Sequence, residues 1–134
     1  MAGNLKLEVV TPEKIVVSED AQIVMASGTL GEFGVLVEHT PFLTSLKPGP
    51  LHYKDAGGNE KFLFVSDGFA EVLPDRVTVL AEAAERKEEI DVKRAEAARE
   101  RAEKRLAGEE ENVDVARAKA ALARALQRIR VANA

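Results

Sequence analysis

The sequence predicts an α+β chain: an N-terminal antiparallel β-sandwich over residues 1–86, then a C-terminal antiparallel two-helix hairpin over residues 87–134. Three observations lead there. Residues 5–80 break into short apolar runs separated by Gly, Pro, Asn and Asp, a pattern of strands and tight turns. All six aromatics (Phe33, Phe42, Tyr53, Phe62, Phe64, Phe69) lie between residues 33 and 69. Beyond Leu80 there is no aromatic and no proline, while residues 81–134 hold 16 alanines. Charge changes at the same place: residues 1–80 carry 6 basic and 11 acidic residues, residues 81–134 carry 13 and 12. So abrupt a shift marks a boundary near residues 81–90.

The strands follow in order. Leu5, Leu7 and Val9 alternate with Lys6 and Glu8, and Pro12 ends the run. Residues 15–17 and 23–25 are further β-rich pieces. Gly28, Gly31 and Gly34 punctuate a loop before an apolar run at 35–37. Pro48-Gly49-Pro50 is a break, and Leu51 and Tyr53 alternate after it. Asp55-Ala56-Gly57-Gly58-Asn59 has the composition of a hairpin turn, because glycine reaches positive φ without steric cost. Residues 62–65, 69–73 and 77–80 are separated by Asp67-Gly68 and Pro74-Asp75. Strands this short and this regularly spaced suit a sandwich or barrel.

The helices follow from 3.6-residue spacing. Ala95, Ala98, Ala102 and Leu106 line one face. Gly108 interrupts, and Glu109-Glu110-Glu111-Asn112 is a polar connection. Val115, Ala118, Leu122, Leu126 and Ile129 line a second face. Two amphipathic helices on a short link fold back as a hairpin. Alanine is the strongest helix former, yet each buried CH₂ contributes only about 0.8 kcal/mol. These helices should form readily and dock weakly, as a two-state element requires. A permanently folded hairpin is the plainer reading, and composition alone favours it.

The totals exclude several classes. With 46% hydrophobic and 31% charged residues the balance is globular. No apolar run approaches the ~20 residues of a membrane span. The opening Met1-Ala2-Gly3-Asn4 has no basic stretch before an apolar core, so no secretory signal is expected. Absence of Cys removes disulfides, thiolate nucleophiles and thiolate-held zinc. A net charge of −4 argues against nucleic-acid binding. His39 and His52 lack metal-ligand spacing, and the Gly28-x-x-Gly31-x-x-Gly34 series lacks the Gly-Lys-Ser/Thr ending of a phosphate loop. Neither a nucleophile–base pair nor a metal set is present, so an enzyme is not expected.

The arginines are more informative. Arg94 and Arg101 share a face of the first helix; Arg117, Arg124 and Arg128 share a face of the second. In a closed hairpin the two rows converge, with Asp91 placed to orient Arg94. Several guanidinium groups over one concavity bind polyphosphate through paired hydrogen bonds. A solvated charged face laced with Glu96, Glu100 and Glu103 is the plainer reading of the same residues.

At this point the sequence resembles a known family along nearly its whole length. Gly31-Glu32-Phe33-Gly34-Val35-Leu36, followed by His39-Thr40-Pro41-Phe42-Leu43-Thr44-Ser45-Leu46-Lys47-Pro48-Gly49, is similar to the signature of epsilon subunits of bacterial F-type ATP synthases. Ser66-Asp67-Gly68-Phe69-Ala70-Glu71-Val72 and Val77-Thr78-Val79-Leu80-Ala81 continue it in order. Ile90-Asp91-Val92-Lys93-Arg94-Ala95 resembles the Ile/Leu-Asp-x-x-Arg-Ala motif of the family's first helix. Three positions depart: Glu38 and Asp67 stand where members carry glycine, and Ala97 where some ATP binders carry lysine.

The resemblance implies a non-catalytic central-stalk subunit of the rotor. It implies gamma subunit, c-ring and catalytic beta subunit as partners, and a peripheral place on the cytoplasmic face of the bacterial plasma membrane with no direct insertion. In the family the sandwich couples catalytic head to ring. The hairpin rises along gamma to inhibit ATP hydrolysis, and in some members bound ATP favours the compact state. Position by position, it implies Glu85, Ile90, Asp91, Arg94, Ala95, Arg101, Arg124 and Arg128 at ATP, the arginines on phosphates, with Glu85 and Asp91 near the base or orienting Arg94. Glu32 and His39 are implied toward the ring and gamma, and Arg117 toward beta. ATP is then a regulatory ligand rather than an obligatory cofactor, with its Mg²⁺ requirement open. A purely structural coupling subunit is the alternative.

Overall fold

The computed structural model describes residues 3–108 and 111–134. Met1 and Ala2, and Glu109 and Glu110 of the expected polar connection, lie outside the described residues. In β1 (Leu5–Val10) the alternation is realised: Leu5, Leu7 and Val9 are fully buried, and the residues between them are not. Six strands follow, β2 (Ile15–Gly28), β3 (Gly31–Val35), β4 (Phe42–Leu46), β5 (Gly49–Asp55), β6 (Glu60–Leu73) and β7 (Arg76–Arg86).

β1 pairs antiparallel with β2 and parallel with β7. The β1–β7 contact is the one parallel pairing among the described strands, because the first and last strands of the sandwich meet in the same direction. β6 runs antiparallel to β7 throughout, pairing with β5 through Val65 and with β4 from Gly68. β2 likewise pairs with β1 early and with β5 and β3 late. These two 14-residue strands therefore serve both layers of the sandwich. Its core is filled by Leu7, Val24, Leu51, Leu63, Val72 and Val79.

Two expected strand pairs prove to be single strands. Residues 15–17 and 23–25 join in β2, and 62–65 and 69–73 join in β6. Ladder pairing holds polar stretches extended that propensity alone leaves out. In β2, Ser18, Glu19 and Asp20 pair along β1, and a register shift between Ala21 and Ile23 absorbs the bend. In β6 the bend falls at Asp67, whose φ is +55°. Gly68 follows so close to β7 that an added Cβ would lie 1.9 Å from the Leu80 carbonyl oxygen. Glu38 is also left-handed, at φ +66°. A left-handed backbone favours glycine, the residue that the resemblance implies at positions 38 and 67. The glycine series at 28, 31 and 34 is the β2–β3 hairpin, with Gly28 opposite Gly31. Leu36 and Val37 fall just past β3.

The alanines at 81, 83 and 84 belong to β7, where Ala81 and Ala84 are buried. A single 3₁₀ turn (Lys87–Glu89) leads to α1 (Val92–Leu106) and α2 (Val115–Ala132). Each helix starts with an aspartate cap: Asp91 accepts from the Arg94 N–H and Asp114 from the Arg117 N–H, both at 3.1 Å. α1 ends before Gly108, at φ +81°.

Between the helices the buried residues are Ala95 and Ala102 of α1 with Ala118 and Ala125 of α2. The expected stripe on α2 is rotated: Val115 and Leu126 are exposed, and Ala125 replaces Leu126 inside. Small side chains let the helix backbones approach, so alanine and not leucine takes the inner row. α2 also meets β5 and β6 of the sandwich. That junction is a small cluster, separate from the main core, of Phe64, Ile90 and Val131 with Phe62, Ala83 and Ala132 packed against it.

Candidate functional site

Where β7, the 3₁₀ turn and both helices meet, a concavity of about 380 Å³ opens. That falls in the ~300–1,000 Å³ range of small-molecule sites. Glu85, Glu89, Asp91, Arg94, Ala95, Ala98, Arg101 and Arg128 line it. The antiparallel hairpin brings them together, because the start of α1 lies beside the end of α2. Arg94 and Arg101 are exposed residues of α1, and the small side chains of buried Ala95 and half-buried Ala98 leave room beside them.

Six of the eight ATP-site residues expected from the sequence thus converge: Glu85, Asp91, Arg94, Ala95, Arg101 and Arg128. Ile90 is buried behind the cavity, packed with Phe64 and Val131. Arg124 does not reach the lining. Although Arg117, Arg124 and Arg128 share a helical face, Arg117 lies about 16 Å along the axis from Arg128 at 1.5 Å per residue. It lines a second cleft at the opposite end, with Arg105, Glu111, Asn112, Val113, Asp114 and Ala118. Angular periodicity says nothing of distance along the helix.

Two of these carboxylates have partners of their own. The Asp91 carboxylate does not turn the Arg94 guanidinium; it caps α1 through the Arg94 backbone N–H. The Glu85 carboxylate is held by Arg128, whose Nε donates to both its oxygens at 3.2 and 2.9 Å and whose Nη2 lies 2.9 Å from Oε2. Sequence reasoning missed Glu89, which lines the cavity and pairs with Lys14 at 3.5 Å. Its only signal was its place between Glu85 and Asp91.

The residues expected at partners lie apart from this cavity. Glu32 is in β3 and borders a smaller cavity of about 190 Å³ beneath the end of α2, shared with His52, Phe62 and Arg130. His39 follows β3. Its Nδ1 is 2.7 Å from the Thr40 carbonyl oxygen, and its ring meets the Phe42 ring at 5.3 Å. On the sandwich surface Phe69 and Leu80 stand opposite each other across β6 and β7 and are both more than half exposed, as is Leu43 on β4. Among the described residues no acidic or histidine cluster has the makings of a metal site. No helix among them is long and apolar enough to cross a membrane.

Comparison with known proteins gives a consistent picture. Residues 4–87 match the family described as ATP synthase, Delta/Epsilon chain, beta-sandwich domain, and residues 88–133 its long alpha-helix domain. The ATP synthase epsilon chain of Desulfosudis oleivorans is 81% identical over 106 residues, covering 79% of this chain and 80% of that one. That of Desulforapulum autotrophicum is 66% identical over 107 residues, covering 80% and 79%. A chain in the cryo-EM structure of the Euglena gracilis mitochondrial ATP synthase shares the fold, with a TM-score of 0.76 at 24% identity over 97% of this chain and 81% of that one.

Proposed function

The chain belongs to the ATP synthase epsilon family, and from that membership we propose that it is a non-catalytic rotor subunit whose hairpin restrains ATP hydrolysis under the control of bound ATP. In this reading the sandwich joins the gamma subunit and the c-ring at the cytoplasmic face of the membrane. The exposed apolar pair Phe69 and Leu80 supports a protein-binding face there. Glu32 and His39 face the ring and gamma.

The observation that carries nucleotide control is the cavity in which Arg94, Arg101 and Arg128 converge beside Glu85 and Asp91. Three guanidinium groups drawn from both helices and facing one space suit a triphosphate, which bridges the helices and holds the hairpin compact. The weakness of the hairpin's other attachment supports the switch: alanine faces between the helices, and one small apolar cluster against the sandwich. Undocked, α2 presents Arg117, Arg124 and Arg128 to an acidic surface of the beta subunit.

Titration calorimetry of the full chain tests this, with ATP against ADP, each with and without Mg²⁺. Saturable binding that prefers ATP and is lost in Arg94→Ala and Arg101→Ala is the expected result. No binding at millimolar ATP would overturn the sensing role.

A second reading, a structural coupling subunit without nucleotide control, is favoured by one observation: Arg128 is already neutralised by Glu85. Removing residues 88–134 from the assembled enzyme separates the two. Raised ATP hydrolysis with intact assembly supports the inhibitory role, and poor assembly supports the structural one.

A further inference from the structure

Of the three cavity arginines, Arg128 is the one whose charge is already answered. Its fork grips the Glu85 carboxylate through Nε and Nη2, all at 2.9–3.2 Å. The side chains of Arg94 and Arg101 make no ion pair among the described residues. Phe64 stands opposite Glu85 across the β6–β7 ladder. The Arg128 Cζ lies 4.5 Å from its ring centroid. Ring and carboxylate therefore form a platform cut to one planar cation. The same pair fixes α2 to the sandwich next to the small Phe64, Ile90 and Val131 cluster.

We infer that Glu85 is a built-in counter-ion standing where a phosphate group would, holding Arg128 in the ligand-free chain and surrendering it to a polyphosphate seated on Arg94 and Arg101. The inference deepens the nucleotide reading above and rests on it. One ion pair breaks, Glu85 with Arg128, and one forms, phosphate with Arg128. The freed carboxylate, already 30% exposed, turns to water, because it now faces an anion. Site affinity is then set by how strongly the chain competes with its own ligand. The exchange replaces a tie from α2 to β7 by a ligand-held tie from α2 to α1.

The probe is inorganic tripolyphosphate, which has no base and so removes any contact of Glu85 with adenine. Binding to the full chain is measured by calorimetry for the parent protein, Glu85→Gln and Val131→Ala. The compact fraction is measured in parallel from the distance between spin labels on Leu30→Cys and Ala120→Cys, both exposed sites in a chain without cysteine. Glu85→Gln keeps the side-chain shape and removes the charge. It should tighten tripolyphosphate binding about two- to fivefold per compact molecule, the scale of one partly exposed ion pair. Val131→Ala loosens docking without touching the pair and should weaken binding. Equal or weaker affinity per compact molecule in Glu85→Gln would overturn the inference. So would tripolyphosphate failing to bind a chain that binds ATP, which leaves the nucleotide site standing. If neither ligand binds, the nucleotide reading falls and takes this inference with it.

Discussion

The guanidinium of Arg128 lies 4.5 Å over the ring of Phe64, the largest fully buried side chain of the apolar junction between hairpin and sandwich. Phe64 is fully buried, so the contact is shielded from water on one side. A cation over a ring in such a place contributes roughly 0.5–2 kcal/mol. Phe64→Leu keeps an apolar side chain there but removes the ring face. We expect it to weaken hairpin docking by about 1–2 kcal/mol. The check is tryptic cleavage within α2, where opening limits access: about a tenfold faster cut for each 1.4 kcal/mol, with the sandwich core still protected.

The two left-handed residues should respond differently to glycine. Glu38 takes φ +66°, and its N–H is bonded to the Pro74 carbonyl. Its carboxylate has no partner among the described residues, so Glu38→Gly relieves backbone strain and loses little. A gain of about 1 kcal/mol in the denaturant midpoint analysis is expected. Asp67 takes φ +55°, but its carboxylate accepts from the hydroxyl of fully buried Ser66 at 2.7 Å. Asp67→Gly orphans that hydroxyl, at a cost of about 1–3 kcal/mol. It should therefore be neutral or destabilising. A gain at position 67 equal to that at 38 would contradict the Ser66 contact.

Gly68→Ala places a methyl group 1.9 Å from the Leu80 carbonyl oxygen and 2.8 Å from Ala81 Cα. Both are backbone atoms of β7 and cannot swing aside. The strands must part where β6 passes from β5 to β4. A loss above about 3 kcal/mol is expected, in the severe tail for single substitutions. Thermal unfolding reads it directly. Gly31→Ala is the comparison: nothing crowds that site, and only its φ of +134° opposes the change.

Acid stability should carry the mark of Glu19. The hydrogen bond from Lys61, at 2.8 Å, holds its carboxyl below the ordinary glutamate range, and burial opposes this more weakly. Lys61 also lies 3.4 Å from the Asp55 carboxylate. A carboxylate with a depressed folded pKa stabilises above its unfolded value, about 4.3, and loses that contribution as pH falls through the folded one. Unfolding free energy should therefore decline below about pH 4.5. In Lys61→Met the decline should be shallower, because Glu19 then titrates nearer its ordinary range. Urea midpoints between pH 3 and pH 7 give the comparison, and parallel curves for the two proteins would remove this pair as the cause.

Much of this molecule was legible from residue order. Leu5, Leu7 and Val9 could only be a half-buried strand, since period two is a strand's geometry. Asp55 to Asn59 could only turn, and its carboxylate does accept from the N–H groups of Gly57 and Asn59. The alanine spacing of α1 gave Ala95 and Ala102 as its inner face, and the arginine spacing gave shared helical faces. These are local properties, fixed by backbone period and side-chain type.

The tertiary structure decided what depends on partners. It made single strands of β2 and β6, because ladder pairing carries polar residues that propensity leaves out. It turned Leu126 outward and Ala125 inward, because close helix approach admits only the smaller side chain. It kept Arg128 in the cavity and set Arg117 at the far end of the hairpin, since equal angle on a helix does not mean equal height. It gave Arg128 to Glu85, 43 residues away in sequence. No spacing rule links a strand end to the last turns of a distant helix; only the packing of α2 on β6 brings that carboxylate and that guanidinium together.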